Sequence, residues 1–363
     1  MRIALTHAFC WPEVRRGAER FVPSLGSALV RRGHEVVHFS AAWKPGRSVE
    51  RGVEVVRLRR HFEQDFRHEA EFGLRLLPRL ARERFDAVHS LGRHDALASI
   101  RASRLRRDGR RTVITDLGIP DPVWWRAQGR FEARAAAAVV RSIDVYSAMS
   151  ETAVAALAAN YGRSDGVVVP GGVDRATFVP AAAREPRPTI LFSGAIGERR
   201  KGVPVLLEAL PLIAEREPDV QLWLSGPGDA SAWLEEAAPA VRDRVVVLGI
   251  GEADRQHERY GRAWVTCLPS TDDSFGMALI ESLACGTPLV TTTSGAPQEL
   301  VAEGVTGELC APLDPAALAD ACVRAFALSR APGTPQVCRA SAERYDWDLA
   351  LAPLCERLYE SGR

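Results

Sequence analysis

Short apolar runs alternate with longer amphipathic stretches along most of the chain. RIALT (residues 2–6) has strand length, and after a Gly-containing loop Phe21, Leu25, Ala28 and Leu29 recur at helical spacing until Arg32-Gly33 ends the pattern. His34 to Ser40 reads as a second strand. VEVVRL (53–58), FDAVHS (85–90), TVITDL (112–117) and DVYSAM (144–149) repeat the rhythm, each separated by a helix-length segment. Such alternation predicts a parallel sheet with helices on both faces.

The rhythm breaks at residues 167–180, VVVPGGVDRATFVP, where Pro and Gly cluster, and AAAREPRP prolongs the break as a linker. It restarts with TILFSG (189–194), VQLWLSG (220–226), RVVVLG (244–249), AWVTCLPS (263–270) and TPLVTT (287–292). A chain of 363 residues exceeds what one core usually holds. The reading is therefore an α/β protein with an N-terminal domain over 1–180, a second doubly wound domain over 181–340, and a helical segment over 341–363. In that last segment Tyr345, Trp347, Leu351, Leu354 and Leu358 form an apolar face, expected to cross back and brace the first domain.

Composition narrows the class. Hydrophobic residues at 46% and charged residues at 26% exclude a disordered or collagen-like chain. No apolar run reaches membrane-span length, and the first residues carry charge too close to their apolar part for a signal peptide, so a cytoplasmic protein is expected. The seven cysteines never form the close pairs of zinc or redox motifs; they read as buried thiols in a reducing compartment, with no metal site.

The net charge of +1 conceals an asymmetry: residues 1–180 hold 30 Lys and Arg against 20 Asp and Glu, and the rest 17 against 26. A basic half suits an acidic acceptor, a phosphorylated lipid or a nucleic acid, but a solvated arginine surface is the favoured reading, and no nucleic-acid partner is expected. Arg75, Arg79, Arg82 and Arg84 accompany Leu74, Leu76, Leu77 and Leu80 in one basic segment. Pro78 interrupts it and no large aromatic marks an interfacial face, so no stable membrane association is expected. Only two of the 47 basic residues are lysines, Lys44 and Lys201, which draws notice to both positions.

The densest chemistry lies in STDDSFGMALIESLACGTPLV (270–290), where a strand ends, a loop of small and acidic residues follows and a helix begins near Gly276. Ligands of open α/β sheets sit beyond the carboxyl ends of the strands, and a helix start offers unpaired N–H groups to phosphate. Gly276, Met277 and Ala278 would present those donors, with Asp273 and Glu281 on either side. FSGAIGERRKG (192–202) places Gly194 at a strand end and Arg199, Arg200 and Lys201 before a helix. Two fixed cations facing a diphosphate would neutralise a leaving group without a metal. Gly17, between the first strand and its helix, is either a simple turn glycine or a point of backbone approach to a phosphate or sugar. Asp116 is either a hydrogen-bond acceptor for a sugar or acceptor hydroxyl or a cap of the following helix or turn. Trp124 and Trp125 are either an acceptor platform or packing. His89 and His94 are weaker candidates. No G-x-G-x-x-G follows the strand at 2–6 or at 189–194, which speaks against a nicotinamide-dependent oxidoreductase; no cofactor is expected.

Together these segments resemble the retaining glycosyltransferases of family 4, with the GT-B fold. The signature of two acids separated by seven residues around Phe-Gly is matched by Asp273, Ser274, Phe275, Gly276 and Glu281, with Asp in place of the usual first Glu. Pro12, Arg16-Gly17-Ala18-Glu19, Arg32 to Val36, and Pro170 to Asp174 with Phe178 extend the resemblance over nearly the whole chain. It implies two facing Rossmann-like domains, the second binding a nucleotide diphosphate sugar and the first a small-molecule or glycan acceptor. Asp273 would then touch the donor sugar, Glu281 the ribose, and Arg200 and Lys201 the diphosphate, with a hexose-type sugar transferred with retention. Two departures stand out. Ala195 replaces an Arg that Arg199 could supply, and Thr115-Asp116-Leu117-Gly118 lacks the usual His, leaving Asp116 as its nearest polar substitute. A non-catalytic nucleotide-sugar sensor or partner subunit is the alternative these departures allow.

Overall fold

Strands covered on both faces must be apolar at every position, and β1 (Arg2–Thr6) obeys this, with Ile3, Ala4 and Leu5 fully buried. The computed structural model describes residues 1–9, 13–14, 18–63, 66–251 and 255–360. The chain forms two compact units, Met1–Gly172 with Trp347–Arg363, and Val173–Asp346.

In the first unit β1 is joined by β2 (Glu35–Ala42), β3 (Gly46–Glu50), β4 (Val53–Arg59), β5 (Ala87–Ser90), β6 (Arg111–Asp116), β7 (Val145–Ala148) and β8 (Val167–Val168). Their order is β3-β4-β2-β1-β5-β6-β7-β8, parallel except for the β3–β4 hairpin. The second unit has β9 (Thr189–Ser193), β10 (Gln221–Ser225), β11 (Val245–Gly249), β12 (Val265–Leu268), β13 (Leu289–Thr292) and β14 (Gly307–Cys310), in the order β11-β10-β9-β12-β13-β14. Every adjacent pair in this sheet is parallel. β3, β8 and β14 are the strands that hydrophobic patterning did not reveal. All three lie at sheet edges and are short or polar, as in GRSVE for β3.

The expected brace is present. Trp347 meets Phe21 edge-on with ring centroids 5.1 Å apart, and Leu351, Cys355, Leu358 and Tyr359 are buried with the helix Phe21–Arg31 in one core. Arg31 pairs with Asp348 at 2.8 Å and Arg32 with Glu356 at 2.7 Å around its rim. The division of the chain differs from 180 and 340, because residues on both sides of those points are tied into the second unit. Val173 donates its N–H to the Tyr345 carbonyl at 2.8 Å and bridges to Asp346. The Arg339 guanidinium donates to the carbonyls of Phe178, Ala284 and Arg175.

The helix Phe66–Arg82 runs through Pro78 and buries His68, Phe72, Leu76 and Leu80 at four-residue spacing, leaving Arg75, Arg79 and Arg82 exposed. Pro78 is tolerated on the solvent side. No helix among the described residues is long and apolar enough to cross a membrane. The six described cysteines are free and buried; Cys10 lies outside the described residues. Burial pushes the thiols of Cys310, Cys338 and Cys355 up to about 12, so they are inert at neutral pH.

Trp347 is buried against Phe21 in this brace, so Trp347→Ala is expected to destabilise the first unit by about 3–5 kcal/mol. Denaturant unfolding followed by circular dichroism reads this directly, and an unchanged midpoint would contradict the assignment.

Candidate functional site

The order of the second sheet reverses at β9: β10 and β11 extend it on one side, β12 to β14 on the other. Loops leaving the carboxyl ends of β9 and β12 diverge there, and such a switch point opens a crevice for ligand. Every residue that the acid-pair and basic segments singled out lies on these two loops or on the helices that follow them.

After β9 the chain passes Gly194 and the turn Arg199–Lys201 into the helix Val203–Ala214; after β12 it passes residues 269–276 into the helix Met277–Ala284. Lys201 Nζ donates to both Asp273 oxygens, at 2.8 and 2.7 Å, and Arg200 Nη1 reaches Oδ1 at 3.2 Å. The Thr271 N–H donates to the Arg200 carbonyl at 2.9 Å, so backbone as well as charge laces the loops together. Asp273 is buried, whereas the Arg200 side chain is half exposed and also pairs with Glu198. Burial works to raise the Asp273 pKa, but the Lys201 charge and hydrogen bond, with Arg200 behind them, outweigh it. The carboxyl is held below its ordinary value and is ionised at neutral pH.

Gly276 sits at φ +100°, a left-handed turn that aims the chain into its helix at low steric cost. No side chain among the described residues caps that helix start. Its first N–H groups, those of Met277 and Ala278 included, carry the positive end of the helix dipole directly after the loop that holds Asp273. Phe275 is buried against Tyr345, with centroids 5.9 Å apart. Glu281, one turn into the helix, accepts a hydrogen bond from the Tyr260 hydroxyl at 2.7 Å. Gly194 donates to the Ser225 carbonyl at 2.9 Å, and a Cβ on Gly226 would collide with the Gly194 carbonyl, so the loops after β9 and β10 touch through backbone alone. Arg199 does not join the cluster. It lies over the Trp233 ring, 5.7 Å from the centroid.

Tyr260 and the S-G-P-G-D run at 225–229 were missed in the sequence. The run carried a signal, two glycines directly after a strand; Tyr260 carried none, since its role depends on a partner 21 residues away.

In the first unit Asp116 ends β6 and caps the turn that follows. It accepts from the Gly118 N–H at 3.0 Å as a turn cap, and from the Tyr146 hydroxyl at 2.5 Å. Burial raises its pKa against the pull of those bonds. His89 bridges Tyr359 at 2.8 Å and Thr115 at 2.7 Å, and burial drives it down to about 3, which makes it a neutral structural link. His94 bonds Glu132 and stacks on Phe131. Trp125 is covered by Arg93, 3.8 Å from its centroid, while Trp124 stays 47% exposed. Gly17, Pro12 and Arg16 lie outside the described residues. Part of the basic excess surrounds a groove of about 610 Å³ lined by Arg47, Arg57, Arg59, Arg75, Arg79 and Arg82. Arg47, Arg57 and Arg75 there already pair with Glu54, Glu50 and Glu71.

Two family descriptions match the chain, "Glycosyltransferase Family 4" over residues 15–177 and "Glycosyl transferases group 1" over residues 187–327. The chain belongs to glycosyltransferase family 4. A phosphatidyl-myo-inositol mannosyltransferase of Mycobacterium tuberculosis is 35% identical over 214 residues, covering 54% of each chain. A D-inositol 3-phosphate glycosyltransferase of Xylanimonas cellulosilytica is 36% identical over 208 residues, covering 52% of this chain and 50% of that protein. This family 4 chain thus spans about half the length of the curated relatives it matches. In fold it resembles the sucrose-phosphate synthase of Thermosynechococcus elongatus, with a TM-score of 0.81 at 22% identity, covering 99% of this chain and 98% of that one. It also resembles Anabaena HepE solved with UDP and glucose, with a TM-score of 0.76 at 18% identity, covering 99% and 100%. The two parallel-sheet units are those of the GT-B fold.

Lys201→Met leaves Asp273 buried with only Arg200 beside it, at an expected cost of about 3 kcal/mol near neutral pH. The sign follows from the depressed pKa. The contribution is present above the ordinary carboxylate pKa and is lost as pH falls through the lower folded value, so wild type and variant converge in acid. Denaturant midpoints from pH 7 down to pH 3 check this, and a pH-independent gap would refute it.

Proposed function

We propose that this chain transfers a hexose-type sugar from a nucleotide diphosphate sugar to a hydroxyl of a small-molecule or glycan acceptor, with retention at the anomeric carbon. The observation that carries the reading is the Lys201–Arg200–Asp273 cluster set against an uncapped helix start at the switch point of the second sheet. An arriving diphosphate competes with Asp273 for the two cations and gains the helix N–H groups. Lys201 and Arg200 then face the charge that grows on the departing phosphate. Asp273, ionised and acceptor-only, is suited to donor-sugar hydroxyls. Glu281 is assigned to the ribose. The bond from the anomeric carbon to the β-phosphate oxygen breaks, the acceptor oxygen bonds that carbon from the same face, and the acceptor proton passes to the departing phosphate. Asp116, at the end of β6, is the acceptor-side candidate, a hydrogen-bond partner that would orient an acceptor hydroxyl. The names of the relatives, a mannosyltransferase and an inositol phosphate glycosyltransferase, and the UDP and glucose held by HepE support this class of reaction.

UDP, GDP or ADP is expected to raise the melting temperature with a chelator present, because fixed cations already supply the positive field. Glu281→Ala should weaken binding of that nucleotide, whereas Asp273→Ala should spare it and slow sugar transfer. Lys201→Ala should lower turnover by about 10²- to 10³-fold, as loss of one fixed transition-state donor does elsewhere, with Lys44→Ala near wild type. Calorimetry and a donor-turnover assay read these outcomes. Nucleotide binding without transfer or donor hydrolysis on any acceptor would favour the sensor reading instead.

A further inference from the structure

The helix Gln256–Arg262 lays three polar side chains, Gln256, Arg259 and Tyr260, across the carboxyl ends of β9, β10 and β11. They fall at helical positions i, i+3 and i+4 and so share one face. Arg259 Nη1 donates to the Gly249 carbonyl at 2.8 Å and to Ser225 Oγ at 2.7 Å, and its Nη2 to the Leu248 carbonyl at 3.1 Å. Gln256 Nε2 spans Ser225 Oγ at 3.1 Å and Ser193 Oγ at 3.2 Å. Ser193 Oγ meets the Tyr260 hydroxyl at 2.9 Å, and that hydroxyl donates to Glu281 Oε2 at 2.7 Å. One continuous chain of hydrogen bonds therefore runs from the end of β11 to the acid of the helix Met277–Ala284. It passes through Ser193 and Ser225, the residues directly before Gly194 and Gly226.

We propose that Tyr260 is the positioning residue for Glu281, holding that carboxylate at the register where it meets the ribose hydroxyls of the donor. The inference rests on the nucleotide-sugar reading and adds a residue to it. Tyr260 is almost wholly buried, with Phe178 6.1 Å from its ring, so its hydroxyl cannot move far while the ring stays packed. Glu281 is buried too, and the Tyr260 hydroxyl is a charge-assisted donor that fixes its Oε2. Loss of the hydroxyl removes that donor and separates Glu281 from the serines that end β9 and β10. Tyr260 itself touches no reacting atom; its influence reaches the ligand through Glu281 and is confined to ligands that carry ribose hydroxyls.

The test is calorimetric binding of UDP, GDP and ADP, each beside its 2′,3′-dideoxy counterpart, to the wild type, Tyr260→Phe, Glu281→Gln and the double variant. Wild type should bind at least one ribonucleotide and bind its dideoxy form about tenfold more weakly. Tyr260→Phe, which keeps the ring, should lose about tenfold on the ribonucleotide, the scale of one hydrogen bond to a charged group. It should lose almost nothing on the dideoxy form, and the double variant should match Glu281→Gln rather than sum the two losses. Equal losses on both nucleotides, or additive losses in the double variant, would assign Tyr260 to packing alone and overturn the inference. Failure of the wild type to bind any of the diphosphates would overturn the donor reading beneath it, and indifference to the ribose hydroxyls would remove Glu281 from the ribose. Ser193→Ala, which leaves the Tyr260–Glu281 bond in place, should weaken the ribonucleotide less than Tyr260→Phe does; the reverse order would count against the proposal.

Discussion

The second unit depends on the pairing of Lys201 with Asp273. A carboxylate that sits in the crevice between diverging loops loses its water, and it stays ionised because an ammonium group meets both of its oxygens. That pairing joins the loop after β9 to the loop after β12, the strands on either side of the point where the sheet reverses its order. With the Thr271–Arg200 backbone bond it sets the distance between the basic turn and the helix that starts at Gly276. The two cations, the helix start and the acid one turn into that helix all lie on the two loops that this pairing joins or on the helices that follow them.

The first unit solves the same geometric problem without a clasp of opposite charges. Its sheet reverses at β1 and β5, and there the Thr6 hydroxyl donates to Asp95 at 2.7 Å and meets the Ser90 hydroxyl at 2.9 Å. Burial lifts Asp95 to about 7, outweighing the hydrogen bonds from Thr6 and the Gly92 N–H that favour its charged form. The contrast matches the chemistry proposed for each half. The crevice proposed for the diphosphate carries two cations, while the other switch point holds neutral hydroxyls and a carboxyl of weakened acidity. The returning C-terminal segment closes one of the first unit's cores with Trp347 and reaches the sheet interior through Tyr359 and His89.

Much of this was legible in the linear chain because it depends on local chemistry. Buried parallel strands are apolar at every position, so the central strands of both sheets announced themselves, and the helix start at Gly276 followed from a strand end, a polar loop and a glycine. The acids Asp273 and Glu281 were visible because their spacing along one loop and one helix is itself local. The edge strands β3 and β14 were not visible, since a strand paired on one side need not be apolar, and β8, at two residues, is too short to show a pattern.

The sequence by itself determined the two sheets, the loop that bears the acids, the basic turn at Arg200-Lys201 and the apolar face of the last helix, because each is written in residues within a few positions of one another. Only the tertiary structure decided that Lys201 grips Asp273 across 72 residues, that Tyr260 serves Glu281, that Arg199 turns aside to Trp233, and that the units divide at Gly172 and Asp346. Those outcomes depend on which loops the sheet order brings side by side, and that order is set by burial of whole strands and helices rather than by any short run of the chain.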